Sequence, residues 1–546
     1  MTDVASTDSP GSTQVVISGG GPVGLATAVE LGQRGISCVV VEPRSTVSHA
    51  RPRCKTVNVR TMEHLRRWGL ADRLRAAAPL PVDWSQDIVF CTSLNGHELS
   101  RFTGVLGLVR EGDRFPETGQ QAPQYVLEEL LRTVVGELPT CTLLTGWRVV
   151  GVEQDATSVR VTALDEAGAS HELTADYLVG CDGARSTVRD QVGSHYVGPQ
   201  ALRPNFGMTF RAPGLWDVVG HGPAVQYWVV NTVAPAVMGP LDLDGTWWII
   251  AFGVEEADGR RLAQELIDGA VGTHIDTEIL AHDPWVARMQ VVNQLRVGRV
   301  FLAGDSAHLN PPFGGHGLNT GVGDAVDLGW KLAAELQGWG GSGLLDSYEL
   351  ERRPVQERVI HEASENMKVL STELMAPNLD DDDAAGADAR RVADLRIQET
   401  KHAEYHALDL VLDIPYDQSP LVVGRGAGGG ALAGNRLPHV WLTPAVSLYD
   451  RLGPGFTLVV LDGPDGAWGG IAEHAASRGV PLQELDLRDR DLVERYGAPH
   501  VLVRPDQYVA WRGDLTTTPG AQVLDQARGV PTPPTATPDH RHQEPT

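Results

Sequence analysis

Apolar and polar positions along the chain change period several times, and the changes mark its elements. Residues 14–18 (QVVIS) form a short apolar run of strand type. A glycine cluster follows. Residues 25–33 then carry apolar positions at helical spacing, and residues 36–41 (ISCVVV) form a second apolar run that closes on Glu42. Strand, glycine turn, helix and strand in roughly 30 residues predict the opening unit of a parallel sheet. Residues 175–189 (ADYLVGCDGARSTVR) repeat the theme: an apolar run enters Asp182-Gly183, and Arg185, Ser186 and Arg189 begin a helix. Residues 299–332 do so again. Their apolar run ends in Gly304-Asp305, a Pro-Pro-Phe-Gly-Gly turn follows, and a helix is predicted from near Leu318. Between these segments, residues 206–211, 225–230 and 246–252 read as β-strands, and Tyr227, Trp228, Met238, Trp247 and Trp248 cluster in the same region. Two readings stand for those aromatics: a packed core, or a pocket wall for a flat ring. Late in the chain, residues 456–461 and 500–504 predict two further strands.

Polar stretches divide the chain. The first dozen residues and residues 529–546 read as disordered tails. Residues 377–388 include Asp380, Asp381, Asp382 and Asp383 and read as a solvated linker or surface loop. A cation site there would need a loop that folds the four carboxylates together. The glycine-rich residues 424–434 read as a second linker. A long part thus ends near Leu374, and a smaller part runs from about residue 390 to 528.

Composition narrows the function classes. Hydrophobic residues make up 42% and charged residues 21%, as in ordinary globular proteins. The formal charge of −25 disfavours nucleic acid and anionic membranes as general partners. No apolar run reaches the ~18 residues of a membrane span. The polar N-terminus lacks the basic and apolar regions of a secretory signal. Five cysteines without CxxC spacing exclude a disulfide scaffold and a Cys-ligated zinc site. The expectation is a soluble, cytoplasmic, multidomain protein. Only four lysines stand against 41 arginines, a bias read as the mark of a GC-rich genome.

Candidate chemistry begins at Gly19-x-Gly21-x-x-Gly24. In a dinucleotide fingerprint one glycine makes the tight turn, one lets the backbone approach a pyrophosphate, and one lets helix and strand pack closely. The helix N-terminus presents amides to the phosphates. Glu42, at the end of the next strand, is placed to accept ribose hydroxyls. The spelling alone is weak, because Gly338-x-Gly340-x-x-Gly343 and Gly424-x-Gly426-x-x-Gly429 also fit it. Neither sits between a strand and a helix, so both are read as loops.

The three ordered motifs resemble those of the single-component aromatic hydroxylases, flavoprotein monooxygenases related to para-hydroxybenzoate hydroxylase and phenol hydroxylase. Arg60-Thr61-Met62-Glu63, Gln124 before Leu127-Glu128, and Ser347-Tyr348-Glu349 with Glu351-Arg352-Arg353-Pro354 match as well. Residues 496–512 and 436–442 resemble the thioredoxin-like C-terminal domain of one hydroxylase subgroup. The resemblance implies an α/β fold with three parts. A Rossmann-like FAD-binding domain takes residues 1–84, 120–195 and 293–376. An interleaved β-sheet substrate domain takes residues 85–119 and 196–292. A thioredoxin-like domain takes residues 390–528, ahead of a disordered tail at 529–546.

The resemblance also implies site roles. Gly19, Gly21 and Gly24 would hold the FAD pyrophosphate, and Glu42 the adenosine ribose. Gln124 would reach the flavin side, and Asp305 the ribityl chain or pyrophosphate. The backbone at Gly317, Leu318 and Asn319 would face the flavin N1–C2=O edge. Asp182 and Gly183 would touch the pyrophosphate region and a passing nicotinamide nucleotide. Arg44, Arg51 and Arg53 are candidates for FAD or nicotinamide-phosphate contacts or plain surface arginines. His316 reads as a positioned turn residue or a proton relay. No catalytic base is assigned.

The implied activity is hydroxylation of a small aromatic, phenolic or polyketide-type substrate. It uses O2 and NADPH or NADH, and proceeds through a C4a-hydroperoxyflavin. Baeyer–Villiger oxygenation or epoxidation of a polyketide, and a non-enzymatic flavin-fold protein, are the alternatives. No cysteine follows Cys181, so the end domain lacks dithiol chemistry. Its expected role is docking, onto the FAD domain or onto a second subunit in a homo-oligomer.

Overall fold

In the computed structural model of the chain, strand Ser12–Ser18 lies at the centre of a mixed eight-stranded sheet with a parallel core. Residues 12–200, 203–424, 430–466 and 468–531 are described. Most of each expected terminal tail, and residues 425–429 of the second linker with Gly426 and Gly429, lie outside them. Val15, Val16 and Ile17 are fully buried, as a strand covered on both faces requires. Ser170–Gly180 pairs on one side and Cys38–Glu42 on the other, both parallel. Val300–Leu302 and Cys141–Thr145 extend the sheet, again parallel. The segments that the sequence pattern singles out therefore bring Ser18, Glu42, Gly180 and Leu302 to one sheet edge. Ligands of open α/β sheets bind at that carboxyl edge. Helix Pro22–Gly32, with proline pre-set in its first turn, packs against the long helix His316–Leu336.

A second sheet has seven strands. In spatial order they are Glu278–Val286, Pro204–Arg211, Thr246–Phe252, Ala236–Pro240, Gln226–Val229, Ile88–Cys91 and Glu98–Phe102. Strand alternation sorts its aromatics onto two faces. Tyr227, Met238 and Trp247 pack with Leu266 and Ile267 of helix Ala263–Val271. Trp228, Val237 and Trp248 face the other way, toward Phe313. One face thus packs a core, and the other carries Trp228 and Trp248 into the lining of a cavity.

The expected boundary at residue 390 falls inside helix Ala384–Tyr405. The acidic run ahead of it ends in an N-cap: the Asp383 carboxylate accepts the Gly386 amide at 2.9 Å. Ala393, Ile397 and Tyr405 then bury against the seven-stranded sheet. The Gly338–Gly343 spelling lies in the connection between helices His316–Leu336 and Ser347–Met367, a loop as expected.

The last sheet runs Leu482–Asp486, Phe456–Val460, His500–Val503, Val509–Gly513. Its first pair is parallel and the others antiparallel. With helices Gly469–Ser477, Arg490–Tyr496 and Gly520–Ala527 this is the thioredoxin-like order. The domain docks within the chain: Phe456 and Leu458 share a core with Trp330, Ala334, Trp339 and Leu344. Among the described residues, no helix is long and apolar enough to cross a membrane.

Candidate active site

The fingerprint turn separates its glycines by function. Gly19 holds φ +103°, and an added Cβ would run into the Cys181 carbonyl. A Cβ on Gly24 would run into the Gly19 carbonyl. These two glycines are required by the close approach of helix and strands. Gly21 has an ordinary φ of −78°, and nothing lies within 4 Å of its added Cβ. Among the described residues, no packing reason accounts for Gly21. It opens, with Pro22 and Val23 at the helix N-terminus, onto a cavity of about 1110 Å³. That volume exceeds what a single drug-sized ligand needs, and the bare backbone at a helix N-terminus suits a pyrophosphate.

The other expected cofactor residues line the same cavity, with Asn319 set apart. Glu42 is buried; its Oε2 accepts the Gly20 amide at 2.7 Å, and its Oε1 accepts the Arg44 amide at 2.9 Å and Nε at 2.7 Å. Arg44 reaches on to Glu128 at 2.8 Å. Gln124 opens helix Gln124–Glu137. Asp182 is drawn into its own turn, accepting the Ser186 hydroxyl and, at 3.1 Å, the Val188 amide; burial raises its carboxyl. Gly183 holds φ +81°. Asp305 sits on the turn Gly304–Ser306 and is exposed. No hydrogen bond among the described residues engages its carboxylate.

The N-terminus of helix His316–Leu336 forms the next wall. Gly315, at φ +67°, makes the sharp entry, and Gly314, Gly315, Gly317 and Leu318 line the cavity. Asn319 lies behind that wall. Its oxygen accepts the Asn58 amide at 2.9 Å and the Thr61 hydroxyl at 2.7 Å, while its NH₂ donates to the carbonyls of Thr56 and Gly315 at 3.0 and 2.7 Å. Its side chain therefore pins the turn in place and is fully used in doing so. His316 also points away, into a separate cavity of about 60 Å³ that it shares with His64 and Arg60. Burial lowers His316 to about 4, so the ring is neutral at physiological pH.

The seven-stranded sheet closes the opposite side through Met208, Trp228, Val237 and Trp248. Trp228, Phe252 and Phe313 form a triangle of rings with centroids 5.7–6.2 Å apart. Arg51 bridges to Asp283 of this sheet at 3.3 Å, whereas Arg53 is an exposed rim residue.

Sequence reasoning missed Lys55. It lines the cavity with its Nζ 3.8 Å from the centre of the Trp248 ring. Burial lowers its ammonium to about 8, against the opposing pull of Cys54 and Asp283. The one available signal was rarity: Lys55 is one of only four lysines.

The chain matches the FAD binding domain family over residues 12–363 and the aromatic-ring hydroxylase C-terminal family over residues 430–531. A putative polyketide hydroxylase of Streptomyces halstedii is 34% identical over 536 residues, 91% of this chain and 93% of its own length. The 2,4-dichlorophenol 6-monooxygenase of Delftia acidovorans is 30% identical, covering 92% of this chain and 94% of its own. The rebeccamycin biosynthetic enzyme RebC, solved with reduced flavin, superimposes with a TM-score of 0.88 at 35% identity, over 96% of this chain and 100% of its own. The chain belongs to the FAD-dependent aromatic hydroxylase family, and it is an FAD-dependent monooxygenase, an oxidoreductase.

Proposed function

We propose that this enzyme uses NADPH or NADH and O2 to hydroxylate a phenolic or polyketide-type aromatic compound. One observation carries the reading. A single cavity has the fingerprint turn and the His316–Leu336 helix N-terminus on one side, and an apolar wall with Trp228 and Trp248 on the other. Bound FAD, once reduced by the nicotinamide, supplies the oxygen chemistry. The chain binds, orients and shields.

Gly21 and the helix N-terminus hold the pyrophosphate, with Glu42 and Arg44 at the adenosine end. Asp305 takes the ribityl or pyrophosphate hydrogen bonds. Asp182 and Gly183 border the pyrophosphate and the nicotinamide approach, and Gln124 the flavin side. The amides near Gly317 and Leu318 favour negative charge on the reduced ring. Trp228, Trp248 and Phe313 hold a flat substrate and exclude water. The domain division expected from sequence belongs to this reading, with helix Ala384–Tyr405 joined to the substrate sheet. Names of relatives support both phenolic and polyketide substrates.

The test is purified holoenzyme with NADPH, then NADH, and a panel of phenols and polycyclic aromatics. Nicotinamide consumption and O2 uptake rise with at least one compound, and mass spectrometry finds one oxygen added. Flavin-loaded protein whose nicotinamide consumption no aromatic accelerates would overturn the reading.

A further inference from the structure

Three of the four lysines have carboxylate partners. Lys331 bonds Asp327 and Glu351 at 2.7 and 2.6 Å, Lys368 bonds Glu365 at 2.5 Å, and Lys401 bonds Glu404 at 2.8 Å. Lys55 has no carboxylate within ion-pair distance among the described residues; it has only the face of Trp248. An aromatic face attracts a cation but does not neutralise it. A cation away from bulk water without an anion is costly.

The other cavity cations differ. Arg44 and Arg51 are paired with carboxylates. Arg53, Arg148, Arg185 and Arg288 are exposed, so water can solvate them. Lys55 alone among these cations is half-buried and, among the described residues, without a carboxylate within ion-pair distance. It also stands against the seven-stranded sheet, through Trp248.

We infer that Lys55 anchors an anionic oxygen carried by the aromatic substrate, a ring carboxylate or a phenolate, whose ring lies along the Trp228 and Trp248 wall. This rests on reading the cavity as the oxygenation site. It adds a charge requirement to substrate choice: a ring bearing the anion is preferred over its neutral isostere. A phenolate held there is also the more electron-rich ring for oxygen transfer.

Calorimetric titration of the FAD-loaded enzyme with β-naphthoate, β-naphthamide and β-naphthol is the test. Wild type should bind the carboxylate at least about tenfold more tightly than the amide, a difference near 1.4 kcal/mol. In Lys55→Met that preference should fall to about onefold, with flavin content and melting temperature retained. Lys55→Arg, which keeps the charge, should retain part of it. Titration of the naphthol in two buffers of different ionisation enthalpy counts protons. Release of a proton by wild type but not by Lys55→Met identifies a phenolate as the anchored species; preference for the carboxylate alone identifies a carboxylate.

Equal binding of carboxylate and amide by wild type, with no proton released by the naphthol, would overturn the inference. That comparison needs no variant to fold. The titrations involve no turnover, so failure of nicotinamide-dependent oxygenation and failure of the Lys55 anchor are read separately.

Discussion

Helix His316–Leu336 joins two regions built from the same kinds of charged residue. At its N-terminus lies the cavity. About three to four turns further along the helix, Asp327 and Lys331 enter a buried cluster beneath the C-terminal domain. There Arg504 donates to both Glu351 oxygens at 2.6 and 2.8 Å and to Asp506 at 2.6 Å. Lys331 bonds Asp327 and Glu351, and the Trp330 indole donates to Asp506 at 3.2 Å. Burial raises the Glu351 carboxyl, but Arg504 and Lys331 outweigh it and hold it down. Donors and acceptors in the cluster close on one another. In the cavity, by contrast, the Asp305 carboxylate and the Lys55 ammonium have no ionic partners among the described residues, and Gly21 faces open space. A closed set of charges fixes how two parts of the chain dock; an open set waits for a ligand.

The sharpest way to break the comparison is to open the closed region. Glu351→Ala leaves Arg504 and Lys331 short of a buried partner, and should cost about 3–5 kcal/mol of stability in thermal unfolding. A small loss there would mean the cluster is no more structural than the cavity wall.

Acid probes the same side. Burial raises Asp324, but Arg352 and His308 outweigh it and bring it to about 2. Burial likewise raises Glu30, and Arg67 and Arg34 bring it to about 2. Both folded values lie below the unfolded ones. Their contribution is therefore full above about pH 4.5 and is lost as pH falls toward 2, on the order of 2 kcal/mol each. Denaturant titrations across that window should show the decline.

Opening the other region should leave the fold alone. Asp305→Ala should weaken FAD by about 1.5–3 kcal/mol, through lost charge-assisted hydrogen bonds, with the apoprotein's melting temperature unchanged. The smallest effect is the control: Lys368, paired with Glu365 on the surface, should become Met without measurable change in stability, flavin content or ligand binding.

Local pattern made much of this legible. The glycine turn, the Asp182-Gly183 and Gly304-Asp305 strand ends, and the helix after the Pro-Pro-Phe turn each declare themselves within a few residues. The cavity they share follows from parallel register. What stayed hidden depends on distance in sequence. Glu351 served only as a mark of resemblance, because the Arg504 that completes its cluster lies in another domain. The pinning role of the Asn319 side chain stayed hidden because its partners, Asn58 and Thr61, lie far away in sequence. The acidic run read as a linker because capping by Asp383 cannot be told from solvation without the helix that follows. Lys55 carried no motif; only its missing partner marks it.

The central claim is that the cavity side of the fingerprint is shaped for the cofactor and the packed side for the fold. Flavin-to-protein absorbance of purified Gly21→Val, read beside its melting temperature and circular dichroism, tests this most directly. The added side chain enters space that the chain leaves open, where the pyrophosphate backbone approach would be blocked. The predicted result is a folded protein with its secondary structure intact and its flavin lost. A Gly21→Val protein that keeps stoichiometric FAD, or one that loses its fold along with the flavin, would contradict the account.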